Sequence, residues 1–433
     1  MDNFSEFESM QNFLFELRNA GSKFSLQRIE KLCKLLGNPQ QKYSKIHIAG
    51  TNGKGSTCAV VESILRASGL KTGMFSSPHL LYLGERVQVD RKPISESDLL
   101  RLVAKIRSVA DGIFSSEDKS EYPSFFEFMT ALAFLYFAEQ NVDVAVIEVG
   151  LGGRLDSTNI ITADVCAITS IALDHTEFLG NSITDIATEK AGIIKNDIPV
   201  VVGDLPDEAL QVIEKISEEK NAPLHKITNI YSSKSEMPKS SLDGDFQRIN
   251  AGIAVECVRV LQKVSDKFAC IDDVSISRGL ATVVWEARWQ KINLSNGATL
   301  ILDASHNPEG ASALESNLQS LKNAGIKPVI AVGVLGQERA KALLKVISKY
   351  ARKIVLLVPN QPRALPFEVL ESFIDSDVEI IKANVSDIFF NNKCSLVSEG
   401  ETIVSTGSIY LAGEVLGALK SQKADGLSDI LKA

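Results

Sequence analysis

The sequence predicts an α/β protein of two domains, a phosphate-loop domain followed by a smaller doubly wound one. Three observations carry that reading. Short β-branched apolar runs at 45–50, 142–150, 164–171 and 198–203 alternate with longer helical patterns, as in a sheet covered by helices. One of those strands passes at 46–57 through a glycine-rich turn into a helix. Beyond residue 297, five more strand patterns (299–305, 327–335, 353–359, 378–383 and 402–408) alternate with helices, the layout of a second doubly wound sheet.

Along the chain, residues 95–114 open with a Ser95-x-x-Asp98 cap and place Leu99, Leu100, Val103, Ile106 and Val109 near helical spacing, so an amphipathic helix is expected. Residues 125–140 are apolar nearly all round, which predicts a helix held between the sheet and another layer. The polar, turn-rich stretch 231–247 reads as a surface excursion without regular structure. A helical pattern ends near Leu280, a Trp-flanked segment follows, and a new strand begins at Ala298. The domain junction is therefore placed within 285–297, with domains at 1–288 and 289–433. No internal repeat is found.

Composition bounds the function. A chain of 433 residues, 45% apolar, 23% charged and 6% aromatic, has material for two or three packed domains and gives no case for disorder. The net charge of -8 argues against nucleic acid as a partner but leaves room for a local basic pocket. Cys33, Cys58, Cys166, Cys257, Cys270 and Cys394 stand singly, without a CxxC pair, as reduced thiols do in a cytoplasmic protein. The acidic N-terminus lacks a basic n-region, and the longest clear apolar run, Ala131 to Ala138, is far short of the roughly 20 residues that span a bilayer. A cytoplasmic location without membrane insertion is the expectation.

The sharpest chemical signal is Gly50-Thr51-Asn52-Gly53-Lys54-Gly55-Ser56-Thr57. Such a turn aims backbone N–H groups and a helix N-terminus at an anion, and Lys54 adds a point charge for phosphates. Two residues separate Gly50 from Gly53, where the usual phosphate loop has four between its glycines. A second glycine cluster, Gly150-Leu151-Gly152-Gly153-Arg154-Leu155-Asp156, fails as a dinucleotide fingerprint because Leu155 stands at the third glycine. It leaves Glu148 at the end of a buried strand, the ligand edge of an α/β sheet, where a carboxylate beside a phosphate loop suits magnesium. A third cluster holds Asp174-His175-Thr176-Glu177 and, further on, Glu189-Lys190-Ala191-Gly192. Alone, His175 also fits a hydrogen-bonded core histidine, and Lys190 a solvated helix lysine.

Taken together with Ser76-Ser77-Pro78-His79-Leu80, Glu85-Arg86, Ser157-Thr158-Asn159 and Asp303-Ala304-Ser305-His306-Asn307-Pro308, these segments closely resemble the folylpolyglutamate synthase and dihydrofolate synthase family of the Mur ligase superfamily. The resemblance spans most of the chain in order, and implies a P-loop-type Mur ligase ATPase domain followed by a Rossmann-like C-terminal domain. It also implies an ATP-dependent acid–amino-acid ligase. ATP phosphorylates a carboxylate, the amine of L-glutamate attacks the acyl phosphate, and phosphate leaves as the amide forms. The acceptor would be a folate, with dihydropteroate as a further acceptor. Another Mur-type amino-acid ligase, or a nucleotide-binding regulator without turnover, are the alternative readings.

By the same resemblance, Asn52, Gly53, Lys54, Gly55, Ser56, Thr57, Asn250, Arg288 and Asp303 would contact ATP. Ser77, Glu148, His175 and a carbamylated Lys190 would hold magnesium, and a monovalent cation is a further expectation. His306 would lie near the phosphates and glutamate. Lys54, His175, Lys190, Arg288 and His306 make the catalytic set. Ser124, Phe126 and Asp156 would meet the folate, and the protein would work as a monomer. Trp285 and Trp289 flank Arg288, so stacking is expected to hold that segment while the guanidinium points into the cleft. Two departures bear on substrate and hinge. Leu81-Tyr82-Leu83-Gly84 stands where members with dihydrofolate synthase activity often carry a basic residue, and the linker reads Glu286-Ala287-Arg288 rather than Pro-Gly-Arg.

Overall fold

In a computed structural model, which describes residues 3–20, 25–114, 121–374 and 377–422, the first sheet grows around β1 (Ser44–Ala49). With it run β2 (Thr72–Phe75), β3 (Val87–Val89), β4 (Lys92–Pro93), β5 (Val144–Glu148), β6 (Val165–Ile168), β7 (Val200–Val202) and β8 (Leu224–Lys226). Their order is β4-β3-β2-β5-β1-β6-β7-β8. All pair in parallel except β3 and β4, which close one edge antiparallel. The chain leaves β1 toward β2, returns through β5 and then crosses to β6, so β1 stands where the strand order turns. At that place the carboxyl ends of α/β strands open a ligand crevice.

Burial explains why these runs are continuously apolar. The sheet is covered on both faces, so alternation gives way to mostly Val, Ile and Ala in β5, β6 and β7, with Cys166 in β6 and Glu148 at the end of β5. The helix Lys54–Ala67 packs beneath Phe246–Val264 and Asp273–Thr282. The helix Phe125–Glu139 is buried nearly all round, between the sheet and the outer helices Asn3–Ala20, Gln27–Leu35 and Glu96–Asp111, as its uniform hydrophobicity predicts. Ser95 caps the last of these by accepting from the Asp98 amide at 3.1 Å. Residues 231–245 form no helix or strand, and Arg248 pins them by donating to the Ser235 and Met237 carbonyls.

The second sheet has β9 (Gln290–Asn293), β10 (Thr299–Leu302), β11 (Val329–Val332), β12 (Lys353–Leu356) and β13 (Glu379–Lys382). A two-stranded ribbon of β14 (Phe389–Phe390) and β15 (Lys393–Cys394) precedes the last strand, β16 (Thr402–Thr406). The order is β13-β12-β11-β16-β10-β9, parallel except for β9. All five strand patterns expected beyond residue 297 are present. β9 is the addition, because residues 290–293 lie inside the segment read as a junction. Asn296-Gly297, with Gly297 at φ +79°, turns β9 into β10, and an Asn-Gly pair between two strands is a hairpin signal. The six cysteines are free, five of them buried. Among the described residues no helix is long and apolar enough to cross a membrane.

Candidate active site between the two sheets

The loop after β1 and the loops after β5, β6 and β10 face one cavity of about 320 Å³. Gly50 to Ser56 form its floor. Gly53 takes φ +84° and lies against Asn250, whose Oδ1 would stand 2.4 Å from a Cβ there, so glycine is required on both grounds. Lys54 opens the helix and turns its ammonium back onto the loop, donating to the Gly50 carbonyl at 2.9 Å and that of Thr51 at 3.2 Å. Its charge is thus held at the helix N-terminus, where amide dipoles already favour an anion. Ser56 lines the cavity and accepts from Gln247 Nε2 at 3.2 Å. Thr57 is fully buried one residue beyond the lining.

Ser77, Glu148, His175 and Lys190, the expected metal set, all line this cavity. Glu148 ends β5 and accepts from the Ser77 amide at 3.2 Å. Burial pushes its carboxyl up to about 7, against the pull of Lys54 and the Ser77 amide, so an added cation would favour the ionised form. His175 sits at φ +50° ahead of the short helix Thr176–Leu179, with Nδ1 buried and without a hydrogen-bond partner. Burial pushes its imidazole down to about 4, which keeps a lone pair available at neutral pH. Lys190 is buried on the helix Ile183–Ala191, and burial, then Lys54, push its amine down to about 7. Among the described residues no three His, Cys, Asp or Glu side chains converge as a ready metal cage. One carboxylate and one imidazole suit magnesium held in part by substrate phosphates, rather than an all-protein site.

The second glycine cluster grips the helix that carries Lys190. The Arg154 amide donates to the Glu189 carbonyl at 2.7 Å, and its guanidinium donates twice to Glu189 Oε1. A Cβ on Gly153 would stand 2.7 Å from the Glu189 carbonyl oxygen and 2.9 Å from that of Lys190. Gly153→Ala is therefore expected to push this helix away and destabilise the protein by about 1–3 kcal/mol. A thermal melt unchanged from wild type would show that the contact is not tight.

From the second domain come Asp303 and His306. Asp303, at the end of β10, accepts from the Ser305 amide at 2.9 Å and lies 3.4 Å from the Thr406 hydroxyl. His306 Nδ1 donates to the Ala304 carbonyl at 2.8 Å, and burial lowers the ring's proton affinity, so Nε2 is the acceptor of a neutral imidazole. Asn250 and Arg288 line the same space. Ser124, Phe126 and Asp156 stand outside it. Ser124 caps its helix, with its hydroxyl accepting from the Glu127 amide at 3.3 Å. The Phe126 ring lies behind Gly150. Asp156 is buried and accepts from the amides of Leu151 and Thr158 and from the Thr158 hydroxyl, all within its own turn.

Two residues that no motif pointed to, Glu309 and Arg339, line the cavity and help join the domains. Arg339 donates to Asp174 Oδ1 at 2.5 Å, and Asn307 Nδ2 donates to Asp174 Oδ2 at 2.9 Å. Burial alone would raise the Asp174 carboxyl, but His175, Arg339 and Asn307 hold it well below the usual range. Asn52 Nδ2 donates to Asn307 Oδ1 at 3.1 Å and to Glu309 Oε2 at 2.6 Å, tying the phosphate loop to the start of the helix Pro308–Asn323. Asp174 and Asn307 were visible within the quoted segments. Glu309 and Arg339 had no local signal. The expected stacking at the linker is corrected: Arg91, not Arg288, lies over Trp285, at 5.2 Å, while Trp289 is buried in the second domain's core.

Comparison with known proteins agrees with this layout. Residues 48–255 match the Mur ligase middle domain, and 287–409 the Mur ligase glutamate ligase domain. Folylpolyglutamate synthase of Lacticaseibacillus casei is 35% identical over 92% of this chain and 95% of its own length. Dihydrofolate synthase/folylpolyglutamate synthase of Bacillus subtilis is 33% identical over 96% of this chain and 100% of its own. Mycobacterium tuberculosis folylpolyglutamate synthase complexed with ADP superposes with a TM-score of 0.83 at 30% identity, covering 96% of this chain and 99% of that one. A bifunctional folylpolyglutamate synthase/dihydrofolate synthase with Mn, AMPPNP and L-glutamate bound gives 0.78 at 29% identity, covering 95% and 98%. With the phosphate loop, both domain matches and near full-length relatives in agreement, the chain belongs to the folylpolyglutamate synthase/dihydrofolate synthase family of the Mur ligases, a family of ATP-dependent ligases.

Proposed function

We propose that the chain adds L-glutamate to a folate, or to dihydropteroate, through an acyl phosphate formed in the cleft between domains 1–288 and 289–433. One observation carries the reading: a phosphate loop, a buried carboxylate, two histidines and the linker arginine face a single cavity from both domains. The related enzymes solved with ADP, and with Mn, AMPPNP and L-glutamate, support ATP and a divalent metal as its companions. In this reading Gly53 to Ser56 hold the ATP phosphates, and Asn250 and Asp303 hold the rest of the nucleotide. Ser77, Glu148, His175 and Lys190 would hold magnesium, which when bound neutralises phosphate charge. The substrate carboxylate oxygen takes the γ-phosphoryl group and ADP departs. The glutamate nitrogen then bonds the acyl carbon, the carbon–oxygen bond to phosphate breaks, and the nitrogen loses a proton, for which His306 Nε2 is the acceptor in this reading. Positioning and charge neutralisation supply most of the acceleration in such transfers. Ser124, Phe126 and Asp156 stay in the proposal as folate contacts, although they stand outside the cavity. A monomeric, cytoplasmic enzyme belongs to the same proposal, and six free cysteines, five of them buried, suit a reducing compartment.

Glutamate-dependent phosphate release, measured separately with dihydropteroate and with tetrahydrofolate, tests the reading. Release with either substrate supports it. ATP hydrolysis that responds only to another acid would make the chain a different amino-acid ligase, and nucleotide binding without release under any condition would make it a regulator.

Lys190 yields a pH prediction. A neutral amine adds to carbon dioxide and releases one proton, giving a carbamate that can ligate metal. With its proton affinity lowered to about 7, Lys190 is largely neutral above that pH and protonated below it. Activity should therefore fall as pH drops through about 7, and more steeply when carbon dioxide is stripped from the buffer. Lys190→Ala should lower kcat by about 10²-fold, with partial recovery on adding a small carboxylate. Indifference to carbon dioxide removal and to the added carboxylate would leave the lysine acting as a plain amine.

A further inference from the structure

Arg91 stands in the turn between β3 and β4 at φ +64°, beside Asp90 at φ +49°. Paired positive φ values favour Asn-Gly in such a turn, so an arginine there is conformationally disfavoured. Its side chain does not point to solvent. The guanidinium lies over the Trp285 ring at 5.2 Å and donates through Nη2 to the Val284 carbonyl at 2.7 Å. Nη1 donates to Gln88 Oε1 at 3.1 Å, and Nε lies 3.9 Å from Glu62 Oε2, a fully buried carboxylate on the phosphate-loop helix. Trp285 in turn packs on that helix's first turn, where a Cβ on Gly55 would stand 3.0 Å from the indole. Three residues on, Arg288 enters the cavity between Ala287 at φ +58° and Trp289 at φ +56°.

We infer that Arg91 is a positioning residue: by clamping Val284 and Trp285 against the phosphate-loop helix, it fixes where the linker delivers Arg288. The inference rests on the role proposed for Arg288. Arg91 has no reach to substrate of its own; it acts through the backbone it holds. A purely structural turn residue would change stability and leave kcat alone. A clamp changes kcat while ATP binding is kept, and only while Arg288 is present.

A double-mutant cycle on the full chain tests this, with kcat, KM for ATP and thermal melts measured for each variant. Arg91→Met, which keeps the aliphatic stem, should lower kcat by about tenfold with little change in KM for ATP, and should have almost no effect in an Arg288→Ala background. Arg91→Gly, which suits the backbone of the turn, should show the same kcat loss without a lower melting temperature. Arg91→Lys should recover part of the rate, since it keeps the charge and a donor but not the planar stack. Equal losses from Arg91→Met with and without Arg288, or wild-type kcat in folded Arg91→Met and Arg91→Gly, would overturn the clamp alone. An Arg288→Ala enzyme with wild-type kcat would remove the Arg288 assignment and the clamp with it.

Discussion

Lys54→Ala should lower kcat by about 10³-fold while the protein stays folded, because in the proposed reading its ammonium is the charge that meets the phosphates and its removal takes away a preorganised donor. Fold retention follows from what the side chain touches. It bonds two carbonyls of its own loop, and no core cluster includes it. Arg cannot substitute well, since a planar fork does not replace a compact point charge folded between Gly50 and Thr51. Steady-state turnover with a thermal melt of the same sample checks both halves. Wild-type-like turnover from folded Lys54→Ala would remove the phosphate-loop assignment.

Arg288→Ala should lower kcat by about 10²- to 10³-fold, the scale for losing one donor aimed at developing charge. The linker's construction explains why the residue is available there. Trp285 belongs to the first domain's core, Ala287 and Trp289 to the second's, and only Arg288 between them faces the cavity. Left-handed backbone at two non-glycine residues costs about 1–3 kcal/mol each and persists only where surrounding packing imposes it. Thermal stability without ligand should barely change, because the buried neighbours, not the guanidinium, hold the segment. Arg288→Lys should regain only part of the rate, since a point charge cannot make two parallel bonds to a phosphate. Unchanged kcat, or activity lost only through unfolding, would show the arginine to be structural.

The parts of this molecule legible in its sequence are those whose physics is local. Covered parallel strands are rich in apolar β-branched residues, so β1, β5, β6 and β7 were readable, and the caps at Ser95 and Ser124 begin the helices expected there. The phosphate loop was readable because glycine, lysine and hydroxyl stand within eight residues. β9 carried its hairpin signal at Asn296-Gly297, but a Trp-flanked stretch between two domains read as linker. The bonds that join the domains were not legible. Asp174 and Arg339 meet across 165 residues, and Asn52 and Glu309 across 257, separations at which no spacing rule operates. Asp156 is a further case: the resemblance assigned it to the folate, while the structure shows what its carboxylate accepts, two amides and a hydroxyl of its own turn, which no motif had indicated.

In the proposed reaction the cavity between the sheets activates a carboxylate as an acyl phosphate before glutamate attacks. A substrate whose reacting carboxylate carries a heavy-oxygen label on both oxygens tests it most directly, with the released phosphate analysed by mass spectrometry. One labelled oxygen is expected in each phosphate released, since that oxygen bridges carbon and phosphorus in the intermediate and leaves with phosphorus as the amide forms. Amide product accompanied by unlabelled phosphate would contradict it.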